Sequence, residues 1–358
     1  MRQAGIIGTR KTTTLGSSLV FGLSKTPVIQ LDVAFCRDQF PAPCWDWAFF
    51  ENAGGSFVPK SVIQRLTAYM TECQVQPGAP YPASTLAAER MNDGHAKMAA
   101  MIGAPMGEVV IGPSTSANID VLARALRPLW ETGDEVIVTN LNHEANSGPW
   151  RRLAATGIRI VEWPVNPDTT ELDISLLDQL LSPRTRLVAL PHVSNITGAI
   201  NDVPAITQRV HDADALVCVD GVAFAPHRFV DVKGWDVDFY AFSLYKTFGP
   251  HIGLMYGKKE LLEAAKSQHH YFIPESATSY KMNPAGPQHA MKSSSQKSSS
   301  IGRKAKTTSA YWARSVRTSM IVRRHFRSLR TGFHRKRYVR KSPKIRSPFD
   351  TVIFMHVA

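Results

Sequence analysis

Between residues 107 and 257 the chain repeats one pattern, a short apolar run rich in β-branched residues followed by a stretch with helical spacing. "GEVVIG" (107–112) precedes "SANIDVLARALRPLW" (116–130), where Ile119, Leu122, Leu126 and Leu129 recur at the spacing of one helix face. "DEVIVTN" (134–140) is followed by "EANSGPWRRLAATG" and then by the strand-like "IRIVEWPV" (158–165). "LDISLLDQLLS" (172–182) reads as an amphipathic helix that Asp173 can cap. "TRLVALPHVSN" (185–195) leads to a turn at Thr197-Gly198, and a helix over 203–212 precedes "ALVCVDG" (215–221). "VDFYAFS" (237–243) and "IGLMYG" (252–257) complete the series. Strands that are apolar throughout belong to a parallel or mostly parallel α/β sheet covered by helices on both faces. In such sheets ligands bind beyond the carboxyl ends of the strands.

Charge divides the chain further. The net charge of +13 over 358 residues is carried by the end of the chain. From residue 276 onward there are 19 Lys and Arg against one acid, Asp350, whereas the first 275 residues hold 23 basic and 28 acidic side chains. Residues 1–31 contain no acid, four basic residues and many Ser and Thr, a composition that suits a transit peptide or a loose N-terminal extension. Residues 32–289 carry the α/β pattern. Residues 290–358 are Ser-, Lys- and Arg-rich and read as a disordered tail, or as sequence foreign to the original reading frame. No apolar run reaches eighteen residues, so no membrane span is expected. Cys36, Cys44, Cys73 and Cys218 show neither a CxxC pair nor metal spacing, and read as free thiols.

The chemistry is therefore sought just after each strand. "FYAFSLYKTFGPHIG" (239–253) holds one charge, Lys246, in an apolar stretch. A lysine there either escapes to solvent or offers a neutral amine, its pKa lowered by burial and nearby positive charge. "PSTSAN" opens a helix after a strand, so Thr115 and Ser116 offer hydroxyls beside free N–H groups; this suits a phosphate as well as a simple N-cap. His143 has a planar ring able to stack on a heteroaromatic group, and Asn195 can donate to a phenolate-like oxygen. Asp220 ends the apolar strand "ALVCV" and can hold a protonated pyridine nitrogen. His192 reads as structural, and His227 either approaches the ring or satisfies a turn. Phosphate cradle, stacking ring, acidic partner and lysine together describe a site for pyridoxal 5′-phosphate (PLP).

These residues lie in segments that resemble the class V aminotransferase family, in its cysteine desulfurase-like branch, from about residue 48 to 257. "FFENAGGS" is similar to the family's N-terminal segment near the active site, "STSANIDVLA" to its phosphate turn, and "NHEANSGPW" to its His-x-Ala-Asn segment. "HVSNITGAIND" and "VCVDGVAFAPHRFVDVKGWDVDFYAFSLYKTFGP" resemble the segments carrying the phenolic-oxygen contact, the pyridinium aspartate and the Schiff-base lysine. The resemblance implies a PLP fold-type I large domain with a mixed, mainly parallel seven-stranded sheet. It also implies a homodimer acting on an amino acid, with Lys246 catalytic and Thr115, Ser116, His143, Asn195, Asp220, Ser243, Tyr245 and His227 around the cofactor. Ser243 falls at a phosphate-bonding serine.

The departures are specific. Ala223 stands where many desulfurases have a glutamine, Tyr245 stands where they have a histidine before the lysine, and "QPGAPYPAST" replaces their histidine segment. "YKMNPAGPQH" (280–289) still resembles a Gly-rich segment that reaches across the dimer, but the small C-terminal domain and its cysteine loop do not follow. The expectation is a PLP-dependent enzyme, desulfurase-like or aminotransferase-like, cytoplasmic or mitochondrial. The alternative is an inactive remnant whose basic tail binds nucleic acid or another polyanion.

Overall fold

The computed structural model describes residues 32–46, 48–276 and 278–283. The acid-free N-terminal segment, residues 284–289 and the basic tail lie outside the described residues, as does any expectation placed on them. In chain order the main elements begin with α1 (Val33–Asp38), α2 (Lys60–Glu72) and α3 (Pro82–Met101). Then come β1 (Val109–Gly112), α4 (Thr115–Leu126), β2 (Glu135–Thr139), α5 (Gly148–Arg152), β3 (Arg159–Trp163) and α6 (Ile174–Leu180). The rest are β4 (Thr185–Pro191), α7 (Val203–His211), β5 (Leu216–Asp220), β6 (Phe239–Ser243), β7 (Gly253–Gly257) and α8 (Lys259–Ala264).

The seven strands form one sheet in the order β1-β7-β6-β5-β4-β2-β3. β7 pairs antiparallel with both β1 and β6, while the β6-β5-β4-β2-β3 pairings are all parallel. The sheet is therefore mixed and mainly parallel, and every strand-like run read from the sequence is a strand in it.

Both faces are buried, and alternate side chains divide between them. Ile137, Val188, Leu190, Val217, Val219, Tyr240 and Phe242 point to one core, shared with Leu177 of α6 and Val203, Ile206 and Val210 of α7. Val136, Val138, Leu187, Ala189, Cys218, Phe239 and Ala241 point to the other, against Ile119, Leu122 and Leu126 of α4, Trp150 of α5 and Leu262 of α8. Asp173 caps α6 as expected, accepting from the Ser175 N–H at 2.9 Å.

Leu129 departs from the helical reading. Pro128 helps end α4 in a short 3-10 turn over Arg127–Leu129, and Leu129 is 44% exposed. α2 and α3 were not anticipated. The face that α3 buries consists of Ser84, Ala87, Met91, Gly94 and Ala99, so its small residues leave little hydrophobic periodicity to read.

This topology gathers one set of loops. The carboxyl ends of β4, β5 and β6 lie at one edge, and the reversed β7 brings its first residue there through the Ser243–Gly253 and Gly112–Gly253 pairings. The turn between β1 and α4 packs directly on Gly253. A Cβ added at that glycine would stand 2.3 Å from the Ser114 carbonyl carbon and 2.5 Å from the Thr115 nitrogen.

Two urea-unfolding comparisons check this packing. Leu122→Ala is expected to cost about 2–5 kcal/mol, and Leu129→Ala to stay within about 0.5 kcal/mol of wild type. Gly253→Ala is expected to cost about 3 kcal/mol, the upper end for overpacking, whereas Gly107→Ala, with open space around its Cβ, should be nearly neutral.

Candidate active site

The turn "GPSTSAN" places its polar groups by ordinary helix-start chemistry. Ser114 is the N-cap of α4, its Oγ accepting from the Ala117 N–H at 3.1 Å. Thr115 points inward and is buried, and its Oγ1 lies 2.7 Å from Oγ of the buried Ser243 at the end of β6. Two hydroxyls 128 residues apart thus meet at the N-terminus of a 12-residue helix, where first-turn N–H groups favour an anion. Ser116 is exposed and stands outside this pair.

Asp220 ends β5 and is buried. Its Oδ1 accepts from the Val222 N–H at 2.9 Å. Burial pushes the carboxyl up from the ordinary aspartate range, and the Val222 N–H, His143 and Lys246 oppose that shift. His143 caps the short turn after β2, its Nδ1 accepting from the Ala145 N–H at 3.0 Å; the ring itself is exposed. That bond leaves the proton of the neutral ring on Nε2.

Lys246 closes a 3-10 turn directly after β6 and is partly buried. Burial lowers its pKa, and the charges acting on it are the carboxylates of Asp220 and Glu51, which pull it upward. The positive neighbours expected from the sequence do not contribute; burial alone moves the amine toward neutrality. The lysine turn is clamped from far away in the chain. Ser56 donates to the Tyr245 carbonyl oxygen through both its N–H, at 2.8 Å, and its hydroxyl, at 2.9 Å. The same hydroxyl accepts from the N–H of Phe248, a non-glycine residue at φ +64°. Tyr245 stacks on His251 with ring centroids 4.4 Å apart and 4° between planes, and the Lys246 Nζ lies 5.8 Å from its ring centre.

Asn195 and His227 occupy exposed turns beyond β4 and β5. The Asn195 turn is pinned by Ser194, whose Oγ accepts from the N–H groups of Ile196 and Thr197 at 3.2 Å each. His192, read as structural, is buried, donates its main-chain N–H to the Asp220 carbonyl at 2.8 Å, and shares a 3.0 Å side-chain hydrogen bond with Tyr240. A cleft of about 340 Å³ opens beside Tyr245, lined among others by Phe49, Glu51, Phe57 and His251. Glu51, Ser56, Tyr240 and His251 were not singled out from the sequence. Only "FFENAGGS" hinted at the first two, and nothing local links Ser56 to a residue 189 positions away.

The donor set fits PLP. A buried hydroxyl pair at a helix N-terminus suits its phosphate, a buried carboxylate suits a protonated ring nitrogen, and a partly desolvated lysine suits its aldehyde. Among the described residues no group of His, Cys, Asp and Glu could hold a metal ion, and no helix is long and apolar enough to cross a membrane.

The chain is similar to several known proteins. The aminotransferase-like protein FGM3 of Gibberella zeae is 43% identical over 253 residues, covering 69% of this chain and 62% of that protein. The cysteine desulfurase-like protein ustD of Aspergillus flavus is 36% identical over 284 residues, 76% of this chain and 64% of that protein. The chain thus spans less than two thirds of the length of these relatives. The crystal structure of the Escherichia coli cysteine desulfurase CsdA superposes with a TM-score of 0.61 at 29% identity, covering 71% of this chain and 70% of that one. The model of the aminotransferase class-V family matches residues 48–278. Sequence pattern, sheet topology and these matches agree, and the chain belongs to the class V aminotransferase family, in its cysteine desulfurase-like branch.

Proposed function

We propose that this chain holds PLP on Lys246 and acts on an amino acid, in desulfurase-like or aminotransferase-like chemistry, as part of a homodimer. The observation that carries the proposal is the convergence of Lys246, Asp220 and the Thr115–Ser243 hydroxyl pair at one sheet edge. When bound, the cofactor supplies an aldehyde for the amine and an electron-withdrawing ring for the substrate's α-carbon.

The chain's own residues divide the remaining work. Burial keeps a fraction of the Lys246 amine neutral, so that its lone pair can attack a carbonyl and later carry a proton at Nζ. Asp220 keeps positive charge on a ring nitrogen through a charge-assisted bond. Thr115, Ser243 and the start of α4 anchor a phosphate, with exposed Ser116 at the rim. The His143 ring, held by its Ala145 contact, offers a flat face, and Asn195, Tyr245 and His227 stand in the surrounding loops. The relatives include both an aminotransferase-like and a cysteine desulfurase-like protein, which supports an amino acid as substrate.

Borohydride reduction of the purified chain incubated with PLP, followed by peptide mass mapping, tests the assignment. A phosphopyridoxyl group on Lys246 is expected, and none on the Lys246→Ala variant. An unlabelled but folded wild type would sink the proposal. In the cofactor-free chain, amine acylation followed against pH should show Lys246 reacting with a midpoint below that of an ordinary lysine amine. Asp220→Asn should lower that midpoint further, because the carboxylate favours the ammonium form.

A further inference from the structure

Beside the Asp220–Gly221 turn the core contains a polar pair where apolar packing alone would suffice. The His192 ring lies flat on Phe224, with centroids 3.6 Å apart and 9° between planes, and Trp235 meets it edge-on at 4.8 Å. Within this aromatic group, His192 Nδ1 and the Tyr240 hydroxyl share a hydrogen bond of 3.0 Å. Both residues are buried, and burial, aided by the Arg228 charge, pushes the imidazole down to about 3. The ring is neutral at working pH, so the pair is not a charge switch. Desolvating an imidazole and a phenol costs more than placing two phenylalanines there, and hydrogen bonding recovers only part of that cost.

What the pair touches is the turn that carries Asp220. The Tyr240 ring fills the space where Gly221 lacks a side chain: a Cβ there would stand 2.1 Å from Tyr240 Cε1 and 2.3 Å from Oη. The His192 main-chain N–H donates to the Asp220 carbonyl at 2.8 Å, and the Gly221 N–H donates to the Ala241 carbonyl at 2.8 Å. His192 follows β4 and Tyr240 lies on β6, the two strands that flank β5. Their side chains therefore join at the turn that the His192 N–H and the carbonyl of Ala241, the residue after Tyr240, hold from either side.

We propose that Tyr240 and His192 are positioning residues: their hydrogen bond locks the Asp220–Gly221 turn and so aims the Asp220 carboxylate at the cofactor's ring nitrogen. This inference rests on the cofactor assignment above. A phenylalanine at position 240 would fill almost the same volume yet leave the His192 ring without its partner. The carboxylate would then lose orientation while the core stayed packed.

The test compares wild type, Tyr240→Phe, His192→Phe, the double variant and Asp220→Asn, each loaded with PLP. The readouts are the cofactor's dissociation constant, its visible absorption band and the melting temperature of the cofactor-free chain. Tyr240→Phe is expected to weaken retention about three- to tenfold, the range for one lost buried hydrogen bond, and to move the band part of the way toward that of Asp220→Asn. His192→Phe removes the same bond from the other side and should act alike, and the double variant should be no worse than either single change. A wild-type band and wild-type retention in a folded Tyr240→Phe or His192→Phe chain would overturn the inference. So would weakened retention that follows melting temperature alone while the band stays put. Failure of wild type to form the Lys246 label would instead remove the cofactor assignment itself, which separates the two.

Discussion

The register of three parallel strands is the constraint on which the site depends. β4, β5 and β6 pair so that Pro191 lies opposite Asp220 and Asp220 opposite Ala241, which brings His192, Asp220 and Ser243 to one edge. A slip of one residue would turn every side chain of β5 to the other face and carry Asp220 away from Lys246. Because both faces are buried, polarity cannot specify that register; size and hydrogen bonding do. Ala189 and Cys218 are the small pair on the face that receives α5. Asn146, fully buried there, donates to the carbonyl oxygens of Leu190 and Cys218 and accepts from the Trp150 indole, tying β4 and β5 to the helix.

Given that register, the electrostatics follow from burial. Desolvation is the largest influence on both Asp220 and Lys246, and it pushes each toward its neutral form, while their mutual attraction pushes each toward its charged form. A surface ion pair would have only the second effect. Here burial wins for both, so the amine is more available as a nucleophile and the carboxylate gains most from a cationic partner. Glu51, reaching the site from a segment nearly 200 residues upstream of the lysine, adds a second carboxylate to the Lys246 environment.

Much of this was legible because it is local. Seven apolar runs became seven strands, and Asp173 capped the helix it precedes. Asp220 and Lys246 stood out because each ends or follows an apolar run, a position at which a charge is costly unless it is used. What stayed hidden was non-local or came from small residues. α3 buries Ala, Gly and Ser, so it shows no stripe. Ser114 and Ser116 look alike in the chain, but the helix start uses the first as its cap and leaves the second in solvent. Ser56 bonds to the Lys246 turn, and Tyr240 packs against Gly221 beside Asp220, through contacts that no spacing rule encodes.

The sequence by itself determined the α/β class, the order of strands and helices from β1 to β7, and the chemical types gathered after the strands, because hydrophobic period and helix capping are written within a few residues of where they act. Only the tertiary structure decided that β7 runs against its neighbours, that Thr115 meets Ser243, and that carboxylates rather than cations surround Lys246. Those outcomes depend on which strands lie side by side and how deeply each group is buried. Pairing order and desolvation are properties of the packed chain, not of any segment of it.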